Sequence, residues 1–517
     1  MGAPGSGASG GGGTGAGRPA GGPGTGYASY FYQTYIHEIG HALGLGHAGN
    51  YNGSADWGVD NHYDNDSWQA TVMSYFSQTD NTTVNASYGF VVTPMIADII
   101  AVQDIYGLPR NLNGGNSVWG EGSNITGAFG MANRLMVARE TVTMTIMDQG
   151  GIDRLNFSAD RNAQVINMAG GSISNIYGLI GNLSIAQGTV IENAVAGSNN
   201  DRIVGNAVGN WVSGMAGNDT IFGVAGNDTL EGGVGADRLV GGAGNDLYIV
   251  DARDTLVELA GEGIDRVRAD FSFTLGVNFE ALLLIQSFAR VGTGNAVANT
   301  VVGNSQVNVL SGGAGNDTLS GNGGADVFVF SALDGAESDL ILAFRPGEDR
   351  LDLRRLGVLS YEAAQAATST AADGSAMITV GEHSIKLQST KTSLLSAHDF
   401  ILDPLTAVAA PNSLALSETN DLALSETHVA ENSAPGTVVA SLVGGDPDPT
   451  AALTYTLLSD AGGRFAVAGR QLVVAGELDY EGAQAHQVLV RVTNEAGLSF
   501  DKLLDLGVLD VNEAPDA

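Results

Sequence analysis

An acidic or amide side chain returns at every ninth residue along one stretch of the chain: Asp201, Asn210, Asp219, Asp228, Asp237 and Asp246. Around these positions runs a frame close to Gly-x-Ala-Gly-Asn-Asp-x-apolar, read over 214–222, 223–231, 232–240 and 241–249. The glycines allow a tight turn and let backbone carbonyls face inward, while the apolar residue two places after each Asp begins a short strand facing a core. Two such units make one coil of a parallel β-roll, so Asp219 is expected to stack with Asp237 and Asp228 with Asp246. Carboxylates stacked in this way repel unless a cation lies between them. Calcium, which takes about six to eight oxygens in an adaptable shell, is the natural ion. A second block follows at Asn299, Asn308, Asp317 and Asp326, where the Asn positions should bind more weakly. A flexible linker of the same composition would not hold an apolar residue in fixed phase. The 74 glycines of the chain fit such turn-dense repeats.

Near the other end lies His37-Glu38-Ile39-Gly40-His41-Ala42-Leu43-Gly44-Leu45-Gly46-His47, an H-E-x-x-H-x-x-G-x-x-H run. His37 and His41 stand one helical turn apart, so both imidazoles leave the same face and can share one metal ion. Gly44, without a Cβ, lets the chain leave the helix abruptly and bring His47 round as a third ligand. Three protein ligands leave a position open, as catalytic rather than structural zinc requires. Glu38 is placed to take a proton from water beside the metal and return it to a leaving amine. Met73, in Thr71-Val72-Met73-Ser74-Tyr75-Phe76, fits the tight methionine turn that underlies such a metal.

Residues 37–76 resemble the zinc half of the serralysin family, secreted bacterial metzincin endopeptidases that carry calcium-binding RTX repeats. The resemblance implies a role for Tyr75, which in that family ligates zinc and swings away to stabilise the tetrahedral intermediate. Ala48 departs from the proline usual after the third histidine. The nine-residue frame is similar to the RTX nonapeptide, and Phe344 to Leu353 to the segment that closes the serralysin repeat domain. In the family a sheet-bearing half precedes the zinc helix. Residues 1–26, half glycine, offer no counterpart, so the sequence is expected to be a piece of a longer one, cut short at both ends.

The expected organisation is multidomain. Residues 1–26 are a disordered glycine-rich segment. Residues 27–110 form a partial α+β metzincin catalytic domain, the half with the zinc helix and Met-turn. Its helices are predicted over 27–45 and from Pro94 to Tyr106, with Gly107 as the stop. A parallel β-roll of RTX repeats is expected over 111–400, with a sandwich-like lead-in by family resemblance and repeats at about 196–249 and 294–330. A linker at 401–427 leads to a C-terminal β-sandwich at 428–517. That last part resembles a cadherin-like module in Val429-Ala430-Glu431-Asn432, Asp446-Pro447-Asp448, Leu478-Asp479-Tyr480-Glu481 and Asp510-Val511-Asn512-Glu513-Ala514-Pro515. There the resemblance implies calcium ligation by Glu431, Glu481, Asp510 and Asn512.

With 22 basic and 56 acidic residues the net charge is −34, which repels nucleic acid and anionic membranes and attracts divalent cations. The absence of cysteine excludes a disulfide framework but not secretion, since calcium can replace disulfides as the staple. No apolar run reaches the roughly 18–20 residues of a membrane span. The resemblance then implies a secreted, extracellular bacterial zinc endopeptidase acting on protein substrates. Its cofactors would be one catalytic Zn2+, held by His37, His41 and His47, and several structural Ca2+. Asp201, Asp219, Asp228, Asp237, Asp246, Asp317 and Asp326 would be the RTX calcium ligands. Calcium-coupled folding suits export of an unfolded chain through a type I secretion apparatus. The alternative is a calcium-dependent extracellular scaffold or adhesin with an inert protease part, engaging an adhesive partner through the cadherin-like module.

Overall fold

The structure is a computed structural model, describing residues 26–109, 111–285, 290–331, 337–402, 422–424, 428–444, 454–459, 461, 463–479, 485–493 and 499–509. The glycine-rich start and nearly all of the linker expected at 401–427 therefore lie outside the described residues. The chain consists mostly of parallel β-sheet with few helices, and it divides into two compact units, residues 1–198 and 199–517.

In the first unit, helix α1 (Tyr30–Ala42) and helix α2 (Ile96–Tyr106) alternate with short strands. Gly107, at φ +82°, ends α2. A third helix, α3 (Gly127–Val137), interrupts a region whose sequence suggested strands alone. Phe90–Val91 pairs in parallel with Val142–Ile146, which pairs in parallel with Leu183–Ile185. Val118–Gly120, Arg154–Asn156 and Asn193–Val195 form a second parallel set. Every residue of Val142–Ile146 is buried, threonines included, as in parallel sheet covered on both faces.

The second unit carries the β-roll. Thr220 pairs with Arg238 and Thr229 with Leu247, each eighteen residues on, so successive coils stack in register and alternate nonapeptides feed opposite sheets. One side chain per strand points inward. Ile203, Val212, Ile221, Leu230, Leu239 and Tyr248 are all fully buried, as are Val301, Leu310, Leu319 and Phe328. Each such side chain contributes roughly 1.5–3 kcal/mol, so the apolar column is the main adhesive of the coils. Parallel pairing continues through Val327–Ser331 with Arg350–Arg355 and through Ser338–Leu342 with His383–Leu387. An antiparallel hairpin, Ala376–Val380 with His383–Leu387, follows. Farther on are two four-stranded, mostly antiparallel sheets. Val438–Gly444, Gln471–Val474 and Phe465–Ala468 belong to one, and Thr454–Ser459, Ala485–Thr493 and Ser499–Leu509 to the other. Leu442, Phe465, Leu472, Val488, Val490 and Leu506 meet in a shared core.

Candidate active site

Ser29, with extended backbone at φ −153°, caps α1, its hydroxyl accepting the Tyr32 amide at 3.3 Å. The helix is shorter than its apolar spacing suggested. Gly44 takes φ +91° and the Leu45 amide returns to the Gly40 carbonyl at 3.0 Å, a left-handed glycine closure that only a residue without Cβ adopts freely. Past that turn the chain carries His47 back to the helix. The Nε2 atom of His47 lies 3.0 Å from that of His41 and 3.3 Å from that of His37.

The far side of each ring fixes what these nitrogens are. Nδ1 of His37 faces the Val72 carbonyl at 2.8 Å, that of His41 the Leu45 carbonyl at 2.9 Å, and that of His47 the Tyr51 carbonyl at 2.8 Å. A carbonyl only accepts, so each Nδ1 carries the proton and donates it, and in the neutral rings each Nε2 presents a lone pair. Three lone pairs at such distances repel unless a cation lies among them. Carbonyl-anchored Nδ1–H groups are the support that metal-binding histidines show, so the donor set fits a zinc ion. His62, in an exposed loop, does not join the cluster. Glu38 lies beside His37 on the exposed side of α1.

Underneath, Met73 is buried, and a Cβ built on Gly40 would collide with its Sδ, so the absence of a side chain at Gly40 is what lets the turn approach the helix. The Tyr75 ring centroid lies 4.6 Å from that of His47 and 5.9 Å from that of His37. Sequence reasoning passed over two further residues. Asp98, buried on α2, accepts the Val72 and Met95 amides at 2.8 Å each and the Thr71 hydroxyl; burial raises its pKa. Its position three residues into a helix, where a carboxylate reaches back to the cap, was the available signal. Tyr51 stacks on His47 at 5.5 Å and donates its hydroxyl to Asp66 at 3.1 Å. Burial pushes the Tyr51 hydroxyl up to about 12, which keeps it a donor. One side of α1 remains open: Phe31, Tyr35 and Ile39 are more than half exposed.

The acidic positions of the roll form a ladder. Asp219 Oδ1 accepts the Asp201 amide at 2.7 Å, and Asp237 Oδ1 accepts that of Asp219 at 2.7 Å. Asp228 likewise receives Asn210 at 2.6 Å, and Asp246 receives Asp228 at 2.8 Å. In the second block Asp317 receives Asn299 at 2.7 Å and Asp326 receives Asn308 at 2.8 Å. The other oxygen of Asp219, Asp228, Asp237 and Asp246 is buried with no hydrogen-bond partner. Burial, and behind it the neighbouring carboxylates, pushes Asp219 and Asp228 up to about 7 and Asp246 to about 6. The ladder extends to residues outside the nine-residue frame: Asp254, Asp265, Glu280, Asp339 and Asp349. Within the first unit, Asp153 and Glu192 accept backbone amides in the same manner. Of the four residues assigned by resemblance to the last part, Glu431 is buried just after His428–Ala430 and its amide donates to the Leu509 carbonyl at 3.1 Å. Glu481, Asp510 and Asn512 lie outside the described residues.

Comparison with known proteins follows the same outline. Serralysin C of Dickeya chrysanthemi is 43% identical over 175 residues, 33% of this chain and 36% of that protein. Metallopeptidase AprA of Pseudomonas marginalis is 40% identical over 184 residues, 34% of this chain and 38% of that protein. The chain thus spans well under half the length of either relative. Among solved structures, chicken VE-cadherin EC1-2 shares 26% identity over 18% of this chain and 54% of its own, with a TM-score of 0.15, too low to bear on the fold. Residues 110–387, more than half of the chain, match the family described as peptidase M10 serralysin C terminal, and the chain belongs to that family.

Proposed function

We propose that the protein is a secreted zinc endopeptidase whose repeat region is held by calcium. The observation that carries this reading is the convergence of three Nε2 atoms whose Nδ1 partners are all backbone carbonyls. His37, His41 and His47 would hold one zinc ion. When bound, zinc supplies a Lewis acid that polarises a scissile carbonyl and makes nearby water more acidic. Glu38 takes the proton of the attacking water on its carboxylate and delivers it to the departing amine nitrogen. Tyr75, packed against two of the imidazoles, supplies a phenol donor to negative charge developing on the substrate oxygen. Asp98 and Tyr51 act at one remove: the first fixes the Val72 segment that holds His37, and the second offers its carbonyl to His47. The seven RTX aspartates would bind calcium. Residues 27–110 would be the zinc-bearing part of a catalytic domain and 428–517 a cadherin-like sandwich, with Glu431, Glu481, Asp510 and Asn512 at its calcium pole.

The open apolar side of α1 favours a second reading, a calcium-held extracellular scaffold whose protease part is inert. One experiment separates the two. Purified chain supplied with zinc and calcium should digest casein, lose that activity to a zinc chelator, and be inactive as Glu38→Ala. Equal inertness of wild type and Glu38→Ala, with calcium still folding the roll, selects the scaffold.

A further inference from the structure

We infer that the coil at which the nine-residue frame breaks holds a separate divalent-cation site, built by Asp246, Glu258 and Asp265 and suited to calcium. Oxygens of these three carboxylates lie within 4.8 Å of one another. All three residues are buried, with 1%, 6% and 1% of their surface exposed.

One oxygen of each is already held by a donor. Asp246 Oδ1 accepts the Asp228 amide at 2.8 Å, Asp265 Oδ1 accepts the Asp246 amide at 2.8 Å, and Glu258 Oε1 accepts the Tyr248 hydroxyl. Asp246 Oδ2 and Glu258 Oε2 are buried with no hydrogen-bond partner. Among the described residues no lysine, arginine or histidine forms an ion pair with any of the three. A buried carboxylate demands compensation, and three together demand a multivalent ion or protons. An all-oxygen, triply acidic set selects a hard cation, and the irregular contribution of two aspartates and one glutamate suits the adaptable shell of calcium.

The site differs in construction from the repeat positions. In the regular coils the residue eighteen past each turn glycine is another glycine, as Gly232 is to Gly214 and Gly241 to Gly223. Val240, however, pairs with Val257, so the place after Gly241 falls to Glu258. A carboxylate thus enters where the frame provides only backbone. Tyr248, at the inward apolar position of its coil, carries the hydroxyl that orients that carboxylate, and the Gly241 amide in turn donates to it at 2.5 Å. The seventeen- and nineteen-residue steps, Asp237 to Asp254 and Asp246 to Asp265, accommodate this exchange of glycine for glutamate.

The inference extends the calcium reading of the repeats, and its test keeps the two apart. Calcium bound per chain is counted by elemental analysis after equilibrium dialysis of the full chain, for wild type, Glu258→Gln and Asp317→Asn. Glu258→Gln should bind one ion fewer than wild type, while Asp317→Asn alters a repeat position in the second block and leaves this site intact. Terbium offers a second readout. Tyr248 should sensitise its emission, and Tyr248→Phe, which keeps every carboxylate and covers the case of a misfolded Glu258→Gln, should lose that component and weaken the site about tenfold. An unchanged count in Glu258→Gln beside a loss in Asp317→Asn, or unaltered emission in Tyr248→Phe, overturns the site while sparing the repeats. Absence of calcium from all three chains overturns both.

Discussion

Asp98 is separated from the His37 ring by a single residue: its carboxylate holds the Val72 amide, and the Val72 carbonyl holds Nδ1. Replacing it with alanine should lower zinc affinity by about tenfold or more, the usual cost of losing a supporting group, as read by competition with a chromogenic chelator. Arg345 plays a different part at the far end of the ladder. Its guanidinium approaches Asp326 at 3.7 Å and Asp349 at 3.4 Å, so the chain supplies its own cation there. Because that guanidinium is partly exposed, Arg345→Gln should cost only about 1–2 kcal/mol in calcium-free buffer, seen as a lowered thermal midpoint, and less once calcium is present.

At the scale of the coil, burial raises the pKa of Asp219 and Asp228 to about 7, far above an ordinary carboxylate. Groups raised in this direction contribute stability that is fully present below the unfolded value near 4 and lost as pH rises through about 7. The calcium-free roll should therefore be more stable at pH 5 than at pH 8 in thermal unfolding, and Asp228→Asn should flatten that slope. The coils were legible because nine-residue spacing and inward apolar phase point to one geometry. The rungs at Asp254 and Asp265 were not, since the pairing that defines them is set by spatial register rather than by spacing. In α1 the histidine interval revealed the cluster, while Tyr51 and Asp98 stayed hidden because each touches the site through backbone groups, which leave no side-chain pattern. Helix α3 was missed where Gly127 and Gly130 lower helix propensity; burial of Met131, Ala132 and Met136 overrides it.

For the molecule as a whole, the two proposed metals should act separately. Withdrawing calcium should remove most of the β-sheet circular dichroism, and restoring it should bring the signal back, because the buried carboxylates lose and regain their counter-ions. Withdrawing zinc alone should abolish hydrolysis with little change in that spectrum. The rungs have a polarity: at Asp201, Asp219 and Asp228 the amide in one coil is held by a carboxylate of the next. Excising a single nonapeptide would consign every later side chain to the opposite wall, whereas excising a pair leaves each address unaltered. Lineages and engineers alike are therefore bound to lengthen or shorten this cylinder in even numbers of units.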